Sequence, residues 1–88
     1  MTQLPLSIEF PLNLLEELVL KSIVIHSGII RSNLAEILAK DHGIEKLKTI
    51  EIVMVLSSMR LITMTNEQLH PVKGLKIENG KARVGGAA

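Results

Sequence analysis

The chain contains no cysteine, no tryptophan and no tyrosine, and its single aromatic side chain is Phe10. Without cysteine there is no disulfide, no thiol nucleophile and no zinc–thiolate site, and the redox compartment leaves no mark on the sequence. With one ring there is no stacking platform of the kind that single-stranded nucleic-acid binders and RNA-recognition sheets use. A cage of rings around a quaternary ammonium is excluded for the same reason. An excess of either charge is also missing: 10 Lys and Arg stand against 9 Asp and Glu, a net charge of +1 with the histidines neutral. Long apolar runs are absent. The most apolar stretch, Ile52 to Met59, lies between Glu51 and Arg60 and is far shorter than the roughly 20 residues of a spanning helix. Met1 to Glu9 lacks the basic start of a signal peptide, and Pro5, Glu9 and Pro11 interrupt any apolar segment. The expected compartment is the cytoplasm, with no membrane contact.

What the chain does have is aliphatic. Hydrophobic residues make up 47% of its 88 positions, enough for one small domain with a packed core. Residues 1–11 read as an extended lead-in ending at Pro11, residues 12–84 as the domain, and residues 85–88 as a disordered tail. A first helix opens after Pro11, with Asn13 as its cap, Glu16 and Glu17 in its first turn, and Leu15, Leu18, Val19 and Ile23 as its buried stripe. Leu14, Leu20, Val24 and Ile25 make its other faces apolar too, and the β-branched run from Ile23 to Ile25 leaves a strand as the alternative there. Ser27-Gly28 breaks the pattern, and Ile29 to Arg31 has the length of a single β-bridge. A second helix starts at Ser32 or Asn33, the latter spaced as a capping box with Glu36. It buries Leu34, Ile37 and Leu38 and stops at Gly43, with Ile44 packing back behind the stop. A third helix spans about Glu45 to Met59, with Leu47, Ile50, Met54 and Leu61 as its inward stripe. Leu61 to Thr65 reads as a strand, Asn66 to Gln68 as a turn, and His70-Pro71 with Gly74 as an irregular piece. The last segment is either a hairpin turning at Asn79-Gly80 or a short helix over Glu78 to Val84; the Asn-Gly pair favours the hairpin.

Little of this composition suggests chemistry. His26, His42 and His70 are far apart in sequence and none sits with a second His or a carboxylate in a recognised ligand pattern, so no metal site is expected. Ser57-Ser58 falls inside a helix with no nucleophile elbow around it, and Glu16-Glu17 is a solvated first turn. No enzymatic activity, cofactor or small-molecule substrate is expected. Met54, Met59 and Met64 recur every five residues across a helix–strand boundary and do not share one helical face. Core filling is their expected role, with an adaptable partner groove as the alternative.

Helix, short strand, helix, tight turn, helix, strand, loop, strand is the order of a winged helix. Leu34-Ala35-Glu36-Ile37-Leu38, Gly43-Ile44 and Val55-Leu56-Ser57-Ser58-Met59-Arg60-Leu61-Ile62 resemble that family's second helix, its turn, and its third helix running into the wing strand. The resemblance covers roughly residues 12 to 80. More narrowly, Leu18-Val19-Leu20-Lys21, the Gly28 break and Leu34-Ala35-Glu36 resemble the N-terminal winged-helix segment of some bacterial AAA-type ATPases. No phosphate-cradling Gly-rich loop accompanies them. The resemblance implies an α+β fold, mainly helical, of three helices plus a small antiparallel β-wing.

It also implies duplex DNA as the default ligand, with the third helix in the major groove and the wing on the backbone. The residues that would serve are Ser32 and Asn33 on the second helix, Lys46, Lys48 and Thr49 on the third, and Lys73, Lys76, Lys81 and Arg83 in a basic wing. The third helix is poorly suited to this. Its charges, Glu45, Lys46, Lys48 and Glu51, cancel, and it offers no Arg, Asn or Gln for bidentate base contacts. The leading expectation is therefore a non-catalytic module that works by protein contact, through self-association as a dimer or docking to a larger assembly. Ile52, Val55 and Met59 would form its surface, with Leu14 and Leu20 as a second patch. DNA binding by a small dimeric regulator is the alternative. Binding hot spots favour Trp, Tyr and Arg, so a surface of Ile, Val, Leu and Met works by broad aliphatic packing, as obligate oligomers do. Phe10 is expected to plug the core near the first helix.

Overall fold

The computed structural model describes residues 7–85. Three helices and six strands follow one another in the order β1 (Ser7–Pro11), α1 (Leu14–Ile25), β2 (Ile29–Ile30), α2 (Arg31–His42), α3 (Lys46–Ser58), β3 (Ile62–Thr65), β4 (Gln68–Pro71), β5 (Leu75–Glu78) and β6 (Lys81–Gly85). The helices have 12, 12 and 13 residues, and the strands form two antiparallel sheets of three, ordered β2-β4-β3 and β1-β6-β5. The architecture is α+β, and the expectation of a mainly helical domain is corrected by the second sheet. That sheet takes in part of the supposed lead-in: Ser7 to Pro11 pairs with Gly85 to Lys81. Gly85 closes a strand and does not open a tail; residues 1–6 and 86–88 lie outside the described residues.

Local signals set most boundaries. Asn13 caps α1 with a complete box, its side-chain oxygen accepting from the Glu16 amide at 2.7 Å and its own amide donating to the Glu16 carboxylate at 3.0 Å. The chain from Ile23 to Ile25 is helical to its end. Gly43 takes the left-handed conformation, φ 67°, that ends α2, and Ile44 behind it is buried. Asn79 and Gly80, with φ of 49° and 74°, make the tight turn between β5 and β6, so the hairpin stands and the terminal helix does not. The start of α2 departs from expectation. The cap position is Ile30, with no side-chain bond, and Ser32 and Asn33 lie inside the first turn. β2 runs straight into the helix, and the Arg31 amide donates to the Glu67 carbonyl at 3.1 Å. A partner from across the sheet thus replaces one local cap.

Val19, Leu20 and Ile23 of α1, Leu34 and Leu38 of α2, Ile44 behind it, Ile52, Val53 and Leu56 of α3, Leu61 just before β3, and Ile62 and Leu69 of the adjoining sheet form the buried cluster, joined by Ala82 of β6. Phe10 is partly buried against this cluster from β1, matching its expected place. The inward face of α3 differs from the one expected. Thr49, Ile52, Val53 and Leu56 are buried, whereas Leu47 and Met54 are 74% and 62% exposed. The buried set has the spacing i, i+3, i+4, i+7 once Thr49 is counted as one of its members.

Thr49 is fully buried and its hydroxyl has no hydrogen-bond partner. An unmet buried hydroxyl is destabilising, and valine has nearly the same shape. Thr49→Val is expected to raise stability by about 1 kcal/mol, or about 4–8 °C in Tm, in thermal denaturation. Leu20 is wholly buried and Leu14 is 84% exposed. Leu20→Ala should cost about 2–5 kcal/mol and Leu14→Ala less than about 0.5 kcal/mol in denaturant titration.

Candidate protein-contact surface

The end of α3 builds the site. Arg60 adopts a left-handed conformation, φ 63°, and the Leu61 amide donates to the Leu56 carbonyl at 3.0 Å. The chain then returns as β3, which packs against the helix it has just left. Between them lies an apolar groove of about 280 Å³, lined chiefly by Val53 and Met54 of α3, Ile62 and Met64 of β3, and Leu69 of β4. Arg31, Ser57 and Ser58 complete the lining. Met54 and Met64, ten residues apart in sequence, thus share one surface, and Val55 stands exposed on the same helix. Met59 is half-buried against the core. Of Met54, Met59 and Met64, Met59 packs against the core and the other two line a groove.

The residues proposed as an interface divide accordingly. Val55 and Leu14 are exposed. Ile52 and Leu20 are buried and are corrected to structural positions, while Met59 is partly buried against the core. Sequence reasoning put Leu47 and Met54 on the inward stripe because α3 is apolar around most of its circumference and periodicity alone does not select which side faces in, while a partner groove was its alternative role for Met54 and Met64.

The basic residues are distributed differently from a DNA-binding face. On α3, Lys46 lies 4.0 Å from Glu36 and Lys48 lies 3.9 Å from Glu51, while Thr49 is buried and is corrected from a contact to a core residue. Ser32 and Asn33 are exposed. Lys76, Lys81 and Arg83 belong to the β1-β6-β5 sheet, and Lys73 lies in the turn that leads into it. The hairpin that follows α3 is β3–β4, whose turn, Asn66-Glu67, carries an acid. The expected basic wing is therefore a separate sheet. There Arg83 is held by Glu9, with its Nη2 2.8 Å and its Nε 3.2 Å from one carboxylate oxygen.

Other candidate chemistry is sparse. The Ser27 hydroxyl and His70 Nδ1 are 3.4 Å apart and exposed; the Ser58 hydroxyl donates to the Val55 carbonyl at 2.7 Å. Among the described residues, no three His, Asp or Glu side chains gather as a metal site, and no helix is long and apolar enough to cross a membrane. A second apolar groove, about 300 Å³, runs between α1 and β5 and is lined by Lys21, Val24, Ile25, Leu75 and Ile77.

No protein-family model, curated protein or solved structure matches this chain.

Proposed function

We propose that this chain is a non-catalytic winged-helix module of the cytoplasm that works by protein contact, with the groove between α3 and β3 as its binding surface. The succession α1, β2, α2, α3, β3, β4 follows the order of a winged helix, with the short β2 closing against β4, and supports that part of the reading. One observation carries the functional part. Where a DNA-reading winged helix presents cations and amides, α3 exposes Leu47, Met54 and Val55, and Met54 lines the groove together with Met64. Such a surface gains little from a polyanion and much from an apolar protein segment. Methionine adapts to irregular partners, which suits a groove that has no aromatic anchor. Duplex DNA remains the second reading because Lys73, Lys76 and Lys81 are exposed on or beside one sheet.

A photoreactive amino acid at position 64, expressed in the cell of origin, tests the two. The expected result is a discrete protein adduct that Met54→Glu abolishes, and no duplex binding at low salt. The absence of any protein adduct, together with duplex affinity that falls steeply with salt and is weakened by Lys73→Ala and Lys81→Ala, would establish the DNA reading instead.

A further inference from the structure

The open edge of the second sheet carries the most specific unused information. β5 is flanked by β6 on one side and by no described strand on the other. In β5–β6, Glu78 and Lys81 flank the two-residue turn, the position at which opposed residues exchange hydrogen bonds. The Gly85 amide donates to the Gly74 carbonyl at 3.2 Å, which keeps the same parity at the far end. Gly74, Lys76 and Glu78 therefore turn their backbone groups toward β6, and Leu75 and Ile77 turn theirs toward the open edge. The Leu75 amide is occupied by the Val72 carbonyl at 3.3 Å. Ile77 alone presents both an N–H and a C=O.

The side chains on this edge are just as particular. Lys76 stands directly opposite Arg83 in the ladder, and Arg83 stands opposite Glu9. Like charges facing each other across a ladder are destabilising. Glu9 answers Arg83, while Lys76 has no ion-pair partner among the described residues.

We infer that β5 pairs antiparallel with β5 of a second copy of this chain, about a two-fold axis through Ile77. That register sets Ile77 against Ile77, so the two exchange their amide and carbonyl bonds. It sets Lys76 of each copy against Glu78 of the other, in the closer type of antiparallel pair, with Cα atoms about 4.5 Å apart. Each unanswered lysine gains a carboxylate. A two-fold through Lys76 would instead place lysine against lysine and would need the occupied Leu75 amide, so charge and hydrogen bonding select the same register. The result is a six-stranded sheet, β1-β6-β5-β5-β6-β1, whose apolar row of Phe10, Ala82 and Ile77 continues across the axis. Val24 and Ile25, exposed beside Leu75 and Ile77, adjoin the new seam. The inference shares the protein-contact reading but uses a different surface from the α3 groove.

Sedimentation equilibrium on the full chain tests it. The wild type should form a concentration-dependent dimer. Lys76→Glu should raise the dimer dissociation constant about tenfold or more, since two attractive pairs become repulsive. Adding Glu78→Lys should recover most of that loss, and Met54→Glu should leave dimerisation unchanged. Amide exchange at Ile77 should slow as wild-type concentration rises and should not do so in Lys76→Glu. This measurement decides the matter if the double variant, which sets a lysine against Lys81, fails to fold. A wild type that stays monomeric overturns the inference and leaves the α3 groove untouched, as does a dimer broken by Met54→Glu but indifferent to Lys76→Glu.

Discussion

Everything in this domain depends on burying one aliphatic cluster. There is no disulfide to shorten the unfolded chain, and the single aromatic ring is only partly buried. The work falls to Leu, Ile, Val and Ala side chains contributed by all three helices and both sheets. None of these elements is stable alone: helices of 12 or 13 residues are marginal in water, as are isolated hairpins. Leu69 shows how they are tied together. Its side chain is fully buried, and its carbonyl accepts the Gly28 amide at 2.7 Å, so one residue joins the turn after α1 to the middle strand of a sheet. Losing that shared burial would remove the reason for every element at once, which is the ordinary origin of cooperative folding in a small domain.

The same aliphatic richness decides what the surface offers. An 88-residue chain has a high ratio of surface to volume, so a composition this apolar leaves side chains over after the core is filled. Met54 and Met64 line one groove and Val24 and Ile25 another beside β5, with Leu47 and Val55 also exposed on α3. Two apolar grooves on one small domain suit contact with other polypeptide. The open edge of β5 and the groove at α3 are chemically distinct, one offering backbone hydrogen-bonding groups beside charged side chains, the other a mainly apolar lining.

Signals confined to a few residues were legible in the chain. The Asn13 cap, the Gly43 stop with Ile44 behind it, and the Asn79-Gly80 turn each act over about four residues, and each stands where the sequence places it. The Asn33–Glu36 spacing has the same form as the first of these and forms no cap, because β2 leads directly into α2 and the Arg31 amide finds its partner on Glu67. Where tertiary pairing satisfies an amide, a local capping motif becomes optional.

Composition and short-range pattern by themselves determined that this chain is one small aliphatic domain of three helices with strands between and after them. They also set most of its turns, because those depend on backbone conformations that only certain residues adopt. Tertiary structure alone decided which side of α3 is buried, since a helix apolar all round carries no preferred face until its neighbours are in place. It also decided that the basic hairpin belongs to a second sheet with Ser7–Pro11 and not to the strands that follow α3. Strand partners far apart in sequence leave no periodic trace, and here β1 and β6 come from opposite ends of the described chain. The candidate surfaces inherit that division: their residue types were visible from the outset, but their grouping into two grooves and one open edge required the fold.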